Sequence, residues 1–303
     1  MGTEPLKFGL VGTGHWARET HAAALASTEG IELSAVWGRN PRAAADLAAS
    51  HGATPHPDVD AMLAAVDGLA FAVPPDVQAP IAIKAARAGK HLLLEKPIAL
   101  TAADTDALAE AAEQGQAATV VFFTTRFTPA ARDWLTQVTD HGEWTAGAVT
   151  WKGSSLQASS PFNTPWRQVK GALWDIGPHA ISLLLASLGP VSSVLADTGL
   201  ADVTHLILHH ESGVTSTVTL TLSVREEAEE VEVYLWDPSG RSPQAPARVG
   251  DPLPPLRTAL TELAASARSG QTAHPCDVRF GRDVNRVIIE AERQIDERRA
   301  GGR

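Results

Sequence analysis

Apolar runs and alanine-rich stretches alternate along the first part of the chain. The apolar runs predict buried strands at 8–11, 33–37, 68–73, 91–94 and 118–123. The stretches between them predict helices at 16–27, 41–51, 58–65, 77–88 and 101–114. Strands that alternate with helices in this way build βαβ units and a doubly wound parallel sheet. Ligands of such sheets bind at the carboxyl ends of the strands, so we expect a ligand site at that edge.

The pattern changes after residue 123. Helical segments are predicted at 127–140, 171–189, 256–269 and 278–299, and strands at 144–153, 191–197, 203–209, 214–224 and 230–236. Residues 153–170 and the proline-rich stretch 237–255 are predicted to be irregular. Strands joined by short connections favour antiparallel pairing in a mixed sheet. We therefore predict two domains, a nucleotide-binding domain at 1–123 and a second domain at 124–303.

Composition narrows the classes of protein that fit. The 303 residues are 44% hydrophobic and 20% charged, which is typical of a folded globular protein. A net charge of −10 argues against a nucleic-acid partner, and no apolar run approaches the roughly 20 residues of a membrane span. Cys276 is the only cysteine, so an intrachain disulfide and a thiolate metal cluster are excluded. We expect a cytoplasmic protein without a metal site.

The first candidate site is a glycine turn in the stretch FGLVGTGHWA, residues 8–17. Gly12 permits a tight turn after a strand, Gly14 lets a phosphate approach the backbone, and small Ala17 lets the next helix pack closely. The first N–H groups of that helix would then point at the phosphate. An ordinary strand–turn–helix connection is the alternative interpretation.

The second candidate site is the stretch GKHLLLEKPIAL, residues 89–100. Its apolar strand ends at Glu95-Lys96-Pro97, because the proline keeps Lys96 out of a helical conformation. Glu95 and Lys96 therefore project at the same sheet edge as the glycine turn. A partly desolvated lysine suits a group that holds or exchanges a proton. A simple ion pair at the strand end is the alternative.

The third candidate site is WDIGPHA, residues 174–180, in the predicted second domain. Asp175 and His179 are four residues apart and share one face if the segment is helical. A carboxylate beside an imidazole orients it for proton transfer. The alternative is that Asp175 caps a helix with Pro178 in its first turn, leaving His179 as a core residue.

Together these three stretches resemble one family, the glucose–fructose oxidoreductase, inositol dehydrogenase and rhizopine-catabolism (Gfo/Idh/MocA) family. The resemblance runs nearly end to end and includes AVPPDVQAPIAIKAARAGKHLLLEKPIAL, RFTPAARDWL, PWRQVKGALWDIGPH and DVRFGRDVNRVIIEAER. It implies an α/β protein, with an N-terminal Rossmann domain and a C-terminal α+β domain built on an open, mainly antiparallel sheet. It also implies an NAD(P)-dependent oxidoreductase of sugars, inositols or related polyols. A non-catalytic NAD(P)-binding sensor of the same superfamily is the alternative.

The resemblance also assigns roles to particular residues. Lys96, Asp175 and His179 match the catalytic positions, with His179 exchanging the substrate proton and Lys96 bonding the reacting oxygen. The substrate would also contact Arg126, Trp166 and Arg167. The cofactor would contact the glycine turn, the ends of the next strands and the catalytic lysine, namely Gly9, Gly12, Thr13, Gly14, His15, Trp16, Gly38, Arg39, Val73, Pro74, Pro75, Gln78, Glu95 and Lys96.

Three departures from the family pattern affect the expectations. Many relatives carry Thr-Pro-Asn-x-x-His after the fourth strand, where this chain has Val73-Pro74-Pro75-Asp76-Val77-Gln78. Ser182 replaces a frequent acidic residue, and Lys170-Gly171-Ala172 replaces a run of three glycines.

The residues after the second strand bear on the choice of cofactor. At the ribose position there stands Gly38, not the acidic residue that selects NAD, and Arg39 follows it. We therefore favour NADP over NAD, with stacking of Arg39 on adenine as the alternative.

The sequence also predicts self-association. An open sheet with one uncovered face would expose TSTVTLTLSV, residues 215–224, as a patch that monomers seldom tolerate. Members of the family associate through this face. We expect a homodimer or homotetramer.

Overall fold

The computed structural model describes residues 4–160, 162–246 and 250–301. These divide into two compact units, one comprising residues up to 127 together with 250–282, the other comprising 128–249 and 283 onwards. The first boundary lies four residues beyond the predicted one. The first unit also includes residues 250–282, which belong to the second domain in the prediction from sequence.

The first unit is built on a six-stranded parallel sheet of order β3-β2-β1-β4-β5-β6. Its strands are β1 (Leu6–Val11), β2 (Ile31–Trp37), β3 (Thr54–Pro55), β4 (Gly68–Phe71), β5 (His91–Leu94) and β6 (Thr119–Val121). Its helices are a π-helix at Ala17–Ala22, α1 (Ala23–Ser27), α2 (Pro41–Ser50), α3 (Val59–Ala65), α4 (Pro75–Arg87), α5 (Ala102–Gln114) and a 3₁₀ turn at Thr124–Phe127. The strand order reverses between β1 and β4, the place where doubly wound sheets bind dinucleotides.

Polar caps and small side chains explain where these helices begin and how closely they pack. The side chains of Asn40, Asp58 and Thr101 accept backbone N–H groups at the first turns of α2, α3 and α5. Alanines fill the buried faces of α4 and α5, which pack on one another. The single helix predicted at 16–27 starts at His15 and continues from Ala17 as the π-helix, and the sequence pattern predicts no strand where β3 lies.

A long helix from the C-terminal part of the chain belongs to the first unit. Helix α9 (Leu253–Ser269) packs on the π-helix, α1, β5 and the 3₁₀ turn through buried residues such as Leu256, Leu260 and Leu263. Arg268 at its end donates to the carbonyl of Gly30 at 2.7 Å. This packing is the physical reason why residues 250–282 group with the N-terminal unit, since sequence separation does not report which elements share a core.

The second unit is built on a mixed sheet of order β12-β11-β7-β10-β9-β8. Its strands are β7 (Ala146–Lys152), β8 (Val191–Thr198), β9 (Thr204–His210), β10 (Thr215–Thr221), β11 (Glu230–Asp237) and β12 (Gly240–Arg241). All neighbours pair antiparallel except β7 and β10. The helices are α6 (Pro129–His141), α7 (Pro165–Asp175), α8 (Gly177–Leu188) and a 3₁₀ turn at Glu226–Ala228, and α10 (Val278–Gly301) lies mostly in this unit.

Helices α7 and α8 pack against one face of this sheet. Residues 165–188 are long and apolar enough to cross a membrane by length and composition, but 78% of the most apolar window is buried within the protein. Gly171, with φ of 63°, also breaks the helical conformation inside this stretch. The segment therefore has the character of a core element. Helix α7 begins at Pro165, inside the stretch predicted to be irregular, because Thr164 caps it.

The exposed stretch predicted at 215–224 needs a correction. Strand β10 alternates, so Val218 and Leu220 are buried and only the intervening threonines face outward. The apolar residues on the outward face come from other strands: Leu195, Ile207 and Trp236 are 49%, 40% and 38% exposed. Register across the sheet places Leu195, Ile207, Thr217, Ala148 and Tyr234 in one row. We call this surface the open face.

Candidate active site

The glycine turn follows β1 and is shaped to admit a phosphate. Gly12 has φ of 131°, and a Cβ there would lie 2.5 Å from the carbonyl oxygen of Ala72, so no other residue fits. A Cβ on Gly14 would meet nothing within 4 Å, which leaves open space over the turn. The helix begins at His15, directly after Gly14, so its N-terminus points toward this open space, as suits an anion. These features fit the pyrophosphate of a dinucleotide.

The ends of the neighbouring strands pack against this turn. The Gly12 N–H donates to the Trp37 carbonyl at the end of β2, and Arg18 donates to the Thr13 carbonyl at 3.1 Å. Val73 follows β4 and lies beside Gly12, and its contact with the cofactor stays a prediction. Gly9, in contrast, lies inside β1, where its missing side chain leaves room for Leu69 and Met62. The structure thus places Gly9 in the packing of the strand and not in the turn.

The position predicted to face the ribose is occupied by Gly38, next to Thr13. A Cβ on Gly38 would lie 2.7 Å from Cγ2 of Thr13, so a larger residue there would require the Thr13 side chain to shift. Arg39 is exposed and makes no ion pair with another residue in the described ranges. Its side chain is therefore available to a ligand.

Glu95 lies against the glycine turn and the π-helix. Its Oε1 accepts from Nε1 of Trp16 at 2.7 Å and lies 3.3 Å from Nε2 of His21. His21 is 1% exposed, and burial lowers its pKa to about 4. His21 is not among the predicted site residues. The signal for it in the sequence is a histidine four residues after Ala17, in the first helix after the glycine turn.

Gln78 holds the backbone that carries Glu95 and Lys96. Its amide nitrogen donates to the carbonyls of Glu95, Pro97 and Ile98 at 2.8, 3.3 and 3.3 Å, and its Oε1 accepts from the Glu95 N–H at 2.8 Å. The side chain is fully buried in α4. Gln78 was expected to contact the cofactor directly, but the structure commits its amide to the segment that ends β5. Strand β5 ends at Leu94, as predicted from Pro97.

In the second unit, Asp175 ends α7 and forms an ion pair. Its Oδ2 accepts from Nε of Arg167 at 2.9 Å, and the carboxylate is 7% exposed. Helix α8 begins after Ile176 without a side-chain cap, so the structure gives Asp175 this partner and not the capping role. A buried carboxylate needs such a counterion. Arg167, expected to bind substrate, is therefore committed in part to Asp175.

His179 lies in the first turn of α8, where it is half-buried and stacks on the ring of Trp151 with centroids 5.7 Å apart. Trp174 is in the core, and its Nε1 shares Oε1 of Glu292 with Lys170, each at 2.8 Å. The indole Nε1 of Trp166 is buried and makes no hydrogen bond to the rest of the described chain.

The structure thus groups the predicted site residues within each unit. Trp16, His21 and Glu95 meet in the first unit, and Arg167 meets Asp175 in the second. Lys96 belongs to the first unit, while Asp175 and His179 belong to the second. Arg126 lies in the 3₁₀ turn of the first unit, with its guanidinium carbon 5.1 Å from the ring centre of Phe280. Its contact with substrate stays a prediction.

Comparison with known proteins identifies the family. Residues 6–123 match the model of an oxidoreductase family with an NAD-binding Rossmann fold, and 105–236 match the GFO/IDH/MocA C-terminal domain. UDP-N-acetylglucosamine 3-dehydrogenase of Acidithiobacillus ferrooxidans is 27% identical over 238 residues, covering 77% of this chain and 72% of that protein. Inositol 2-dehydrogenase of Rhizobium meliloti is 33% identical over 126 residues, covering 41% and 38%.

A solved structure shows the same fold over the whole chain. GenD2 from gentamicin A biosynthesis, in complex with NAD, superimposes with a TM-score of 0.83 at 21% identity and covers 99% of this chain and 96% of its own. The predicted fold class is confirmed. The chain belongs to the Gfo/Idh/MocA family and is an NAD(P)-dependent oxidoreductase.

Proposed function

We propose that this enzyme transfers a hydride between a nicotinamide cofactor and a secondary alcohol or ketone of a sugar, inositol or related polyol. The observation that carries the proposal is the cofactor edge of the first unit, where the open glycine turn leads into Trp16 and Trp16 donates to the carboxylate of Glu95. The substrate class rests on the curated relatives, which act on the 3-position of a nucleotide-linked amino sugar and on inositol.

Three side chains carry the proton chemistry in this proposal. The bound nicotinamide supplies or accepts the hydride. His179 accepts the hydroxyl proton during oxidation and returns it during reduction. Lys96 donates a hydrogen bond from Nζ to the reacting oxygen and stabilises negative charge that develops there. Asp175, paired with Arg167, orients its neighbours from a fixed position.

The aromatic residues of the second unit suit a sugar. Trp151 stacks on His179 and so limits the orientations of the imidazole. The buried N–H of Trp166 is a donor that a substrate hydroxyl or carboxylate would satisfy, and its ring lies 6.0 Å from the guanidinium carbon of Arg167. A buried donor without an acceptor is costly, which supports a ligand at this position.

The cofactor is NADP in this proposal. Gly38 stands where an acidic residue would repel a 2′-phosphate, so that repulsion is absent. The exposed guanidinium of Arg39 is available to pair with the phosphate. Stacking of Arg39 on adenine is the competing interpretation, since it would serve NAD and NADP equally.

Two further parts of the proposal concern assembly and location. The open face displays Leu195, Ile207 and Trp236 on one sheet, which supports a homodimer or homotetramer formed through this surface. The single cysteine, buried as Cys276, is consistent with a cytoplasmic enzyme.

The test is a nicotinamide absorbance assay with NADPH, NADP, NADH and NAD against nucleotide-linked amino sugars, hexose phosphates, free sugars and inositols. We expect turnover with at least one member of the panel. Binding of a reduced cofactor by calorimetry, without turnover of any panel member in either direction, would instead support the non-catalytic sensor.

A further inference from the structure

Two aromatic ring nitrogens, one of Trp16 and one of His21, approach the same oxygen of the Glu95 carboxylate. Nε1 of Trp16 donates to Oε1 at 2.7 Å, and Nε2 of His21 lies 3.3 Å from that oxygen. The two rings meet edge to face, with centroids 6.1 Å apart. The Glu95 side chain is itself 13% exposed, so this contact is largely shielded from solvent.

His21 sits in an uncommon helical segment. The π-helix Ala17–Ala22 begins three residues after Gly14. Such segments are rare in proteins, and those that occur often lie at functional sites. His21 is one of the buried residues of this segment, together with Ala17, Thr20 and Ala22. His21 is 1% exposed. Burying its polar ring nitrogens costs free energy unless they contact polar partners.

The ring is neutral and has one N–H to donate. Burial opposes the charged form, and the low pKa of His21 leaves it uncharged at neutral pH. Oε1 of Glu95 lies next to Nε2, and the Trp16 backbone is a second polar partner of the ring, which opposes the effect of burial on the pKa in part. With Nε2 protonated, the ring would donate to Glu95.

The backbone of Glu95 is fixed independently. Gln78 binds both the N–H and the carbonyl of Glu95 from α4. With the backbone held by Gln78, the remaining freedom of Glu95 lies in its side-chain torsions. Trp16 and His21 restrict those torsions from the helix side.

We propose that His21 is a positioning residue that, with Trp16, orients the Glu95 carboxylate for cofactor binding. The inference rests on the proposed function in one respect, namely that Glu95 binds the cofactor. The carboxylate accepts from Trp16, two residues after Gly14, at the sheet edge where dinucleotides bind, and a carboxylate there would accept hydrogen bonds from ribose hydroxyls. Fixing the carboxylate in advance removes an ordering cost from binding.

The experiment measures NADPH and NADH dissociation constants by calorimetry without substrate. His21→Met keeps the volume but removes the donor, and His21→Gln restores an N–H. His91→Met is the matched control, because His91 is a half-buried histidine of the same unit with a lowered pKa, at the start of β5. We expect His21→Met to weaken binding of both cofactors about tenfold, with recovery to within about threefold in His21→Gln and no change beyond about twofold in His91→Met.

A double-mutant cycle separates positioning from a merely structural role. In a Glu95→Gln background, His21→Met should cost less than about twofold, because the carboxylate on which it acts is gone. Wild-type affinity in His21→Met, or the same tenfold loss in the Glu95→Gln background, would overturn the proposal. An enzyme that binds cofactor but turns over no substrate would refute the proposed function. The double-mutant cycle could still be interpreted, because it measures cofactor binding alone.

Discussion

At the scale of single residues, His21 links burial to a pH dependence. The unfolded chain takes up a proton near the ordinary pKa of 6.5, whereas the buried ring resists protonation until about pH 4. Below the unfolded-state pKa, the unfolded state therefore binds more protons, and stability falls as pH drops through this window. Glu95 is the acidic group that faces the ring.

We predict that His21→Met removes this part of the acid sensitivity. Between about pH 7 and about pH 5, the free energy of unfolding of the wild type should fall by about 2 kcal/mol more than that of the variant. Urea titrations at the two pH values measure the difference. His91 and His210, whose pKa values are also lowered, are present in both proteins and cancel. Parallel pH profiles for the two proteins would show that His21 titrates normally in the folded state.

The second prediction at this scale is that Arg39 selects NADPH over NADH. A charge-assisted contact with a 2′-phosphate is worth about 1.5–3 kcal/mol, or roughly 10- to 150-fold in affinity. Arg39→Ala should therefore weaken NADPH binding by at least about tenfold and leave NADH binding nearly unchanged. Titration of both reduced cofactors measures this. An equal loss for both would identify Arg39 as a residue that stacks on adenine.

At the scale of elements, Gln78 connects α4 to the end of β5. Its amide satisfies one backbone donor and reaches three backbone carbonyls around Lys96. Gln78→Leu keeps the volume but leaves those groups buried without the amide. The conformation of the segment that presents Lys96 therefore depends on a residue in the preceding helix.

We expect Gln78→Leu to lower the free energy of unfolding by about 3 kcal/mol, because unsatisfied buried backbone groups cost roughly 1–3 kcal/mol each. Turnover should fall by at least about tenfold as Lys96 loses its alignment. Gln114→Leu, an exposed substitution in α5, is the control and should change stability by less than about 0.5 kcal/mol. A Gln78→Leu enzyme with wild-type stability and turnover would contradict this role.

Elements with strong local signals could be predicted from the sequence. The strand ending before Pro97 and the helix beginning at Pro41 follow from local sterics and capping. Helix α7 was placed too late because serine, proline and glutamine dominate the stretch before it, although Thr164-Pro165 is a helix start signal. The π-helix and the two-residue strand β3 have no pattern of their own, since tertiary packing decides both.

At the scale of the whole molecule, the open face predicts self-association. Ile207 lies at the centre of β9, in the row that includes Leu195 and Thr217. Ile207→Asp should convert the oligomer to monomers, because a buried charge without a partner in the interface costs several kcal/mol. Leu200→Asp is the control, since Leu200 is 92% exposed outside the strands. Light scattering at micromolar concentration measures the mass of the wild type and of both variants. A monomeric wild type would contradict self-association through the open face.

The sequence predicts where the residues of the candidate site lie, but not which partners they contact. The positions of the glycine turn and of Glu95 follow from where strands end, which the apolar pattern reports. The partners of the site residues do not follow, because Gln78, His21 and Arg167 lie 17, 74 and 8 residues from the groups they contact. Side-chain direction and burial, which no local pattern encodes, decide those contacts.

The central claim is tested most directly by comparing turnover with cofactor affinity in His179→Ala and Lys96→Ala. Using the best substrate of the panel, we expect each variant to lose at least about a hundredfold in turnover, the range for an acid–base group. NADPH affinity of His179→Ala should stay within about threefold of the wild type, and His51→Ala, at the end of α2, should match the wild type in both measurements. Near-normal turnover in both His179→Ala and Lys96→Ala would contradict the account.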